Sequence, residues 1–179
     1  MRTVILCGGY GTRLSEETII KPKPMVKIGN KPILEHIMGI YKYYGYNQFI
    51  LALGYKSGYI KKFYKNKSKK NINLIYTGKD TKTGGRLLRL KNYLKNEKTF
   101  MLTYGDGISN INIKQAIKFH KDHGKIATIT AVRPPLSFGE LKISRNKVKS
   151  FKEKPQVGQG WINGGFFIFN NEVLNFIKD

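Results

Sequence analysis

A single cysteine, Cys7, is the whole thiol inventory of this 179-residue chain, so an intramolecular disulfide and a cysteine-built metal cluster are both excluded. That usage fits a reducing compartment, and a cytoplasmic location is expected. No apolar run approaches the ~18 residues of a membrane span, and the amino terminus enters a strand-like segment at once instead of a signal peptide. A chain that stays off the membrane and is not secreted is therefore expected. Internal repeats and low-complexity linkers are absent. Acidic residues are few: 11 Asp and Glu face 33 Lys and Arg, for a formal charge of +22.

Such a surplus directs attention to nucleic acid, whose phosphates a basic face would neutralise. Arginine, however, is nearly missing from it, with only six positions against 27 lysines. Base recognition and phosphate clamping favour the arginine fork over the lysine point charge. The lysines accompany abundant Asn, Ile and Tyr, as broad codon bias would produce. In the densest stretch, Lys61 to Lys70, they alternate with Phe63, Tyr64 and Asn66, the pattern of a solvated helix side and its exit loop. Nucleic acid is not the expected partner; small anionic substrates would be attracted all the same.

Hydrophobic residues make up 40% and aromatics 12% of the chain, enough for one domain with a true core. Short β-branched runs at Thr3 to Leu6, Phe49 to Leu53, Ile72 to Tyr76, Phe100 to Thr103 and Ile126 to Val132 read as strands. Helix patterns lie between them. The clearest are Pro32 to Tyr44, followed by Gly45, and Ile113 to His123, closed by Gly124. The alternation predicts an α/β fold, Rossmann-like, with a mostly parallel sheet and helices on both faces. After Val132 the strands shorten, around Leu141 to Ser144, Lys147 to Phe151 and Phe166 to Phe169. The expected division is a larger part over 1–132 and a smaller β portion over 133–179. A helix-like segment starts near Asn170 and meets no natural cap before Asp179, as in a truncated product.

Leu6-Cys7-Gly8-Gly9-Tyr10-Gly11-Thr12-Arg13-Leu14 follows directly on the first strand. Glycines at a strand-to-helix turn let backbone amides face an anion. The spacing is neither a Walker motif, since no Gly-Lys-Ser/Thr follows, nor a dinucleotide fingerprint. A glycine cluster alone is as often a tight turn; Arg13, a fixed-charge fork, tips the reading toward polyphosphate. The prolines of Lys21-Pro22-Lys23-Pro24-Met25 would hold Lys23 near the loop, although an exposed lysine beside a turn reads the same way. Asp106, between Gly105 and Gly107 at a strand's carboxyl end, is either a turn aspartate or a ligand-binding residue. His36, His120 and His123 lie on helix patterns, and nothing pairs them as a base or ligand set.

The strings Gly8-Gly9-x-Gly-Thr-Arg-Leu, Lys-Pro-Lys-Pro-Met and Pro32-Ile33-Leu34 resemble the signature of sugar nucleotidyltransferases. Leu14-Ser15-Glu16-Glu17-Thr18, Thr83-Gly84-Gly85-Arg86-Leu87, Thr103-Tyr104-Gly105-Asp106-Gly107 and Trp161-Ile162-Asn163-Gly164-Gly165-Phe166-Phe167 are similar to glucose-1-phosphate cytidylyltransferases in particular. The resemblance spans the chain and implies CTP and glucose 1-phosphate as substrates and Mg²⁺ as cofactor, with CDP-glucose and pyrophosphate as products. It implies that Leu6, Gly8, Gly9, Gly11, Thr12, Arg13, Lys23, Thr81 and Arg86 bind nucleotide, that Asp106 holds the metal, and that Arg13, Lys23 and Asp106 carry catalysis. Gly139, Glu153, Lys154 and Asn163 match the family's sugar-phosphate elements. A homo-oligomer is compatible with it. Relatives also carry a second metal-binding aspartate in a carboxyl-terminal region this chain does not reach, and a longer segment between Lys65 and Ile72. A nucleotide-binding domain with weak or no turnover is therefore one alternative expectation, and a related enzyme using another NTP or sugar 1-phosphate is the other.

Overall fold

The computed structural model describes residues 1–11, 18, 20–65, 71–134, 140–152 and 160–178. In chain order the strands are β1 (Thr3–Cys7), β2 (Lys27–Ile28), β3 (Lys31–Pro32), β4 (Phe49–Leu53), β5 (Ile72–Tyr76), β6 (Thr99–Tyr104), β7 (Ala127–Val132), β8 (Glu140–Ser144), β9 (Lys147–Lys152) and β10 (Ile162–Asn170). The helices are α1 (Ile33–Tyr43), α2 (Ser57–Tyr64), α3 (Thr83–Leu88), α4 (Lys91–Leu94) and α5 (Ile113–His123). Two compact units form, one from Met1–Thr128 and Gly165–Asp179, the other from Ile129–Gly164.

Six strands make one sheet in the order β5-β4-β1-β6-β10-β7. β1 pairs parallel with β4 and with β6, β4 pairs parallel with β5, and β10 runs antiparallel to β6. The sheet is mostly parallel because the connections through helices return each strand in the same direction. Alternate residues point to opposite faces, which sorts the core into two layers. Ile5, Phe49, Leu51, Leu53 and Met101 meet Leu34, Ile37 and Tyr41 of α1, Ile60 of α2 and Ile117 of α5. Val4, Ile50, Ala52, Phe100 and Leu102 meet Leu87 of α3 and Leu94 of α4. Helices cover both faces, so the central strands read as continuous apolar runs instead of alternating ones.

Helix boundaries follow local chemistry. The pattern over Pro32 to Tyr44 yields a helix over Ile33–Tyr43, since Pro32 is taken up as the residue before the first turn. α5 ends at Gly124, left-handed with φ 65°. At its start the Asn112 side chain accepts from the backbone N–H of Gln115 at 3.1 Å, satisfying one of the helix's orphan donors. Asn112→Ala should lower stability by about 1 kcal/mol, read as a shift in urea midpoint at constant slope, while Asn112→Asp should retain most of it. The helix-like segment near Asn170 is a shorter 3-10 turn, Asn171–Asn175, whose Leu174 is buried. In the second unit β8 and β9 form a hairpin closed by Arg145 and Asn146, both at positive φ (47° and 60°) as a tight primed turn requires.

What matters for the site is the reversal at β1. The chain moves outward through β4 and β5, then returns to place β6 on the other side of β1. Open α/β sheets hold ligands at such a switch point, beyond the carboxyl ends of the strands.

Candidate active site

Beyond the ends of β1 and β6 lies a pocket of about 470 Å³. One wall is the glycine loop from Leu6 to Gly11 and another is Tyr104 to Asp106; Lys23 and Pro24 form a third, and Lys79 to Thr83 with Arg86 a fourth. β6 enters the loop by extending its ladder: the Gly105 N–H donates to the Leu6 carbonyl at 2.9 Å. A side chain at Gly105 is impossible without rearrangement, because its Cβ would lie 2.8 Å from both Leu6 O and Pro24 Cγ.

Lys23 sits in a single 3-10 turn, Lys23–Met25, started by Pro22 and closed by the Val26 N–H on the Lys23 carbonyl. This rigid turn aims the ammonium at Asp106, where Nζ and Oδ2 meet at 2.5 Å across 83 residues of sequence. Lysine and carboxylate are both partly open to solvent, with 23% and 36% of their side chains exposed, so each is free to exchange its partner for a ligand.

Arg86 is buried, and both of its terminal nitrogens are spent on the protein. Nη1 donates to Leu53 O (3.3 Å), Thr77 Oγ1 (2.9 Å) and Gly78 O (2.7 Å), and Nη2 to Gly8 O (2.9 Å) and Lys79 O (3.0 Å). These acceptors stand at the ends of β1, β4 and β5. One guanidinium thus ties three strand ends into the pocket wall, and a Cβ on Gly8 would fall inside it. Burial, more than the neighbouring Arg89, pulls the Arg86 pKa below its ordinary value. One turn on, Arg89 Nη1 donates to Thr77 O at 2.7 Å and Thr81 Oγ1 at 2.6 Å, fixing Thr81 at the pocket.

Cys7 is fully buried beneath the loop. Burial first, then the negative charge of Asp106, pushes its thiol well above the ordinary cysteine range, so it remains protonated and acts as packing, not as a nucleophile. Tyr10 bridges the pocket mouth: its phenol donates to Asp80 Oδ1, and its ring packs on Tyr55 with centroids 4.9 Å apart. The hydrogen bond to Asp80 is the main reason that the Tyr10 phenol is held above its usual pKa.

Of the residues singled out by sequence, the pocket brings together Leu6, Gly8, Gly9, Gly11, Lys23, Thr81, Arg86 and Asp106. Thr12, Arg13, Gly139, Glu153 and Lys154 lie outside the described residues. Asn163 belongs to the second unit, where it is exposed. Tyr10, Lys79, Asp80, Lys82 and Tyr104 line the pocket without having been singled out. Tyr10 carried a signal, its place between Gly9 and Gly11; Asp80 carried none. Among the described residues no group of three His, Cys, Asp or Glu gathers as a metal site.

This geometry coincides with a family match: the model described as nucleotidyl transferase covers residues 2–179. The chain belongs to the nucleotidyl transferase family. This transferase is 46% identical over 202 residues to the glucose-1-phosphate cytidylyltransferase of Salmonella typhi, covering all of the present chain and 79% of that protein. It is 38% identical to the mannose-1-phosphate guanylyltransferase catalytic subunit beta of Drosophila melanogaster, over 99% of the chain and half of that protein. Among solved structures, HddC from Yersinia pseudotuberculosis superposes with a TM-score of 0.75 at 29% identity, over 99% of the chain and 80% of its own length. The mostly parallel sheet with its helices is the fold this chain shares with that solved structure. No helix among the described residues is long and apolar enough to cross a membrane.

Proposed function

We propose that the chain transfers the cytidylyl group of CTP to glucose 1-phosphate, releasing pyrophosphate and CDP-glucose. The observation that carries this reading is the Lys23–Asp106 pair standing beside the glycine loop at the sheet's switch point, in a chain 46% identical to a protein named for that reaction. An oxygen of the sugar phosphate attacks the α-phosphorus; the new P–O bond forms as the bond to the β-phosphate breaks, and pyrophosphate departs. Two polyanions must approach, so charge neutralisation and alignment are most of the catalytic task.

In this reading the triphosphate lies over the glycine loop, and Thr12 and Arg13, next in sequence, bind it as well. Lys23 leaves Asp106 for the reacting phosphates, and its stiff turn keeps the ammonium within reach of both positions. Asp106 is an oxygen donor of the kind hard cations take, and with its lysine withdrawn it would hold Mg²⁺ together with phosphate oxygens and water. The ion would supply neutralisation of the charge that builds on the transferred phosphate. Residues 1–132 are the nucleotide-binding part. Residues 133–179 are the sugar-phosphate part, where Gly139, Glu153, Lys154 and Asn163 receive glucose 1-phosphate: the carboxylate takes sugar hydroxyls and the lysine the phosphate.

The test is pyrophosphate release by the purified chain with glucose 1-phosphate and each of CTP, UTP, dTTP and GTP, with and without Mg²⁺. Magnesium-dependent release that prefers CTP is expected. Nucleotide binding without release would replace this reading with that of a binding domain.

A further inference from the structure

Among the described residues two carboxylates line the pocket, and they stand differently. Asp106 is ion-paired with Lys23. Asp80, in the stretch between β5 and α3, takes the Tyr10 phenol on Oδ1, and its second oxygen has no partner among the described residues. Lys79 and Lys82 flank Asp80 in sequence, but neither forms an ion pair with it among the described residues. Tyr10 is itself backed by the Tyr55 ring, so the phenol presents a fixed donor to Asp80 across 70 residues of sequence. A carboxylate with one oxygen tethered and the other open to a pocket is a directed acceptor for an N–H donor.

In the cytidylyl reading the phosphates lie toward Lys23 and the glycine loop, which leaves the wall of Lys79 to Thr83 for the base. Lys79 and Lys82 share that wall, yet Asp80 pairs with neither, so its second oxygen is open to a donor on the base. Cytosine carries an amino donor at C4, whereas uracil and thymine carry an oxygen acceptor there. We infer that Asp80, held by Tyr10, selects among pyrimidine nucleotides by accepting the 4-amino group of cytosine and setting like charge against the 4-oxygen of uracil or thymine. This rests on the cytidylyl reading above and names the residue that gives it its base preference. Selection of this kind is strong because the wrong base leaves a charged acceptor unpaired and repelled.

The experiment compares kcat/KM for CTP and UTP at fixed glucose 1-phosphate and Mg²⁺ in the wild-type chain, Asp80→Asn and Tyr10→Phe. Asparagine keeps the shape and can offer an N–H to the 4-oxygen, so the CTP/UTP ratio should fall about 10-fold or more, with UTP improving in absolute terms. Tyr10→Phe should lower the ratio by a smaller factor, since the carboxylate persists but loses its tether. A wild-type preference for UTP would overturn both the cytidylyl reading and this inference. A preference for CTP that Asp80→Asn leaves within two-fold would overturn the inference alone. A Tyr10→Phe ratio equal to wild type would overturn the tether.

Discussion

Asp106→Ala should lower kcat/KM by about 10³ while leaving the fold intact, a loss on the scale of removing one electrostatic element from a preorganised site. The carboxylate faces the pocket at the end of β6 and is more than a third exposed, so its ion pair with Lys23 contributes well under about 1 kcal/mol to stability. Its removal takes away, among the described residues, the pocket carboxylate that is held against a cation. Because both side chains serve the same reacting phosphates in the proposed reaction, Lys23→Ala and Asp106→Ala should be strongly non-additive, the double variant being little worse than the poorer single one. Steady-state pyrophosphate release and thermal melts measure the two halves of this expectation. Retention of more than a tenth of wild-type kcat/KM by Asp106→Ala would remove Asp106 from the reaction.

Arg86→Met should instead cost stability first, by about 3 kcal/mol or more, and activity as a consequence. Five acceptors lose the guanidinium at once: the carbonyls of Leu53, Gly78, Gly8 and Lys79 and the Thr77 hydroxyl. Leu53 keeps the Thr77 N–H and hydroxyl, and Gly8 keeps the Tyr55 N–H, so the Gly78 and Lys79 carbonyls bear most of the loss. Each buried acceptor left unpaired costs ~1–3 kcal/mol, and water entering from the pocket recovers part of that sum. Arg86→Lys should recover less than half of the loss, because one ammonium cannot span acceptors that a planar fork reaches on both sides. Release of the Gly8 carbonyl shifts the glycine loop, and a displacement near 1 Å is worth about 10² in rate. Urea denaturation and kcat/KM on the same samples distinguish this from a residue that merely contacts nucleotide, whose loss would leave the urea midpoint unmoved.

These two residues show how far the sequence alone reaches. Asp106 is legible because strand β6 and a Gly-Asp-Gly turn are both local patterns, and a strand's carboxyl end is where an α/β sheet places ligands. The helices over Ile33–Tyr43 and Ile113–His123 are legible for the same reason, their periodicity and stop signals lying within a dozen residues. Arg86 draws notice through the glycines before it, but its burial against three strand ends follows only from the sheet order β5-β4-β1-β6, which no local pattern states. The Tyr10–Asp80 contact is harder still. It joins two turns 70 residues apart, and neither residue type is unusual where it stands.

The sheet order also sets a schedule for the growing chain. β10, residues 162–170, is inserted between β6 and β7 instead of being added at an edge. Until it emerges, β6 offers a row of unpaired amides and carbonyls alongside Phe100 and Leu102, the kind of margin on which nascent chains aggregate. At ribosomal rates of roughly 5–20 residues per second, the 66 residues from Tyr104 to Asn170 keep that margin open for about 3–13 s. During that interval the open margin of β6 is the surface a holding chaperone would have to cover.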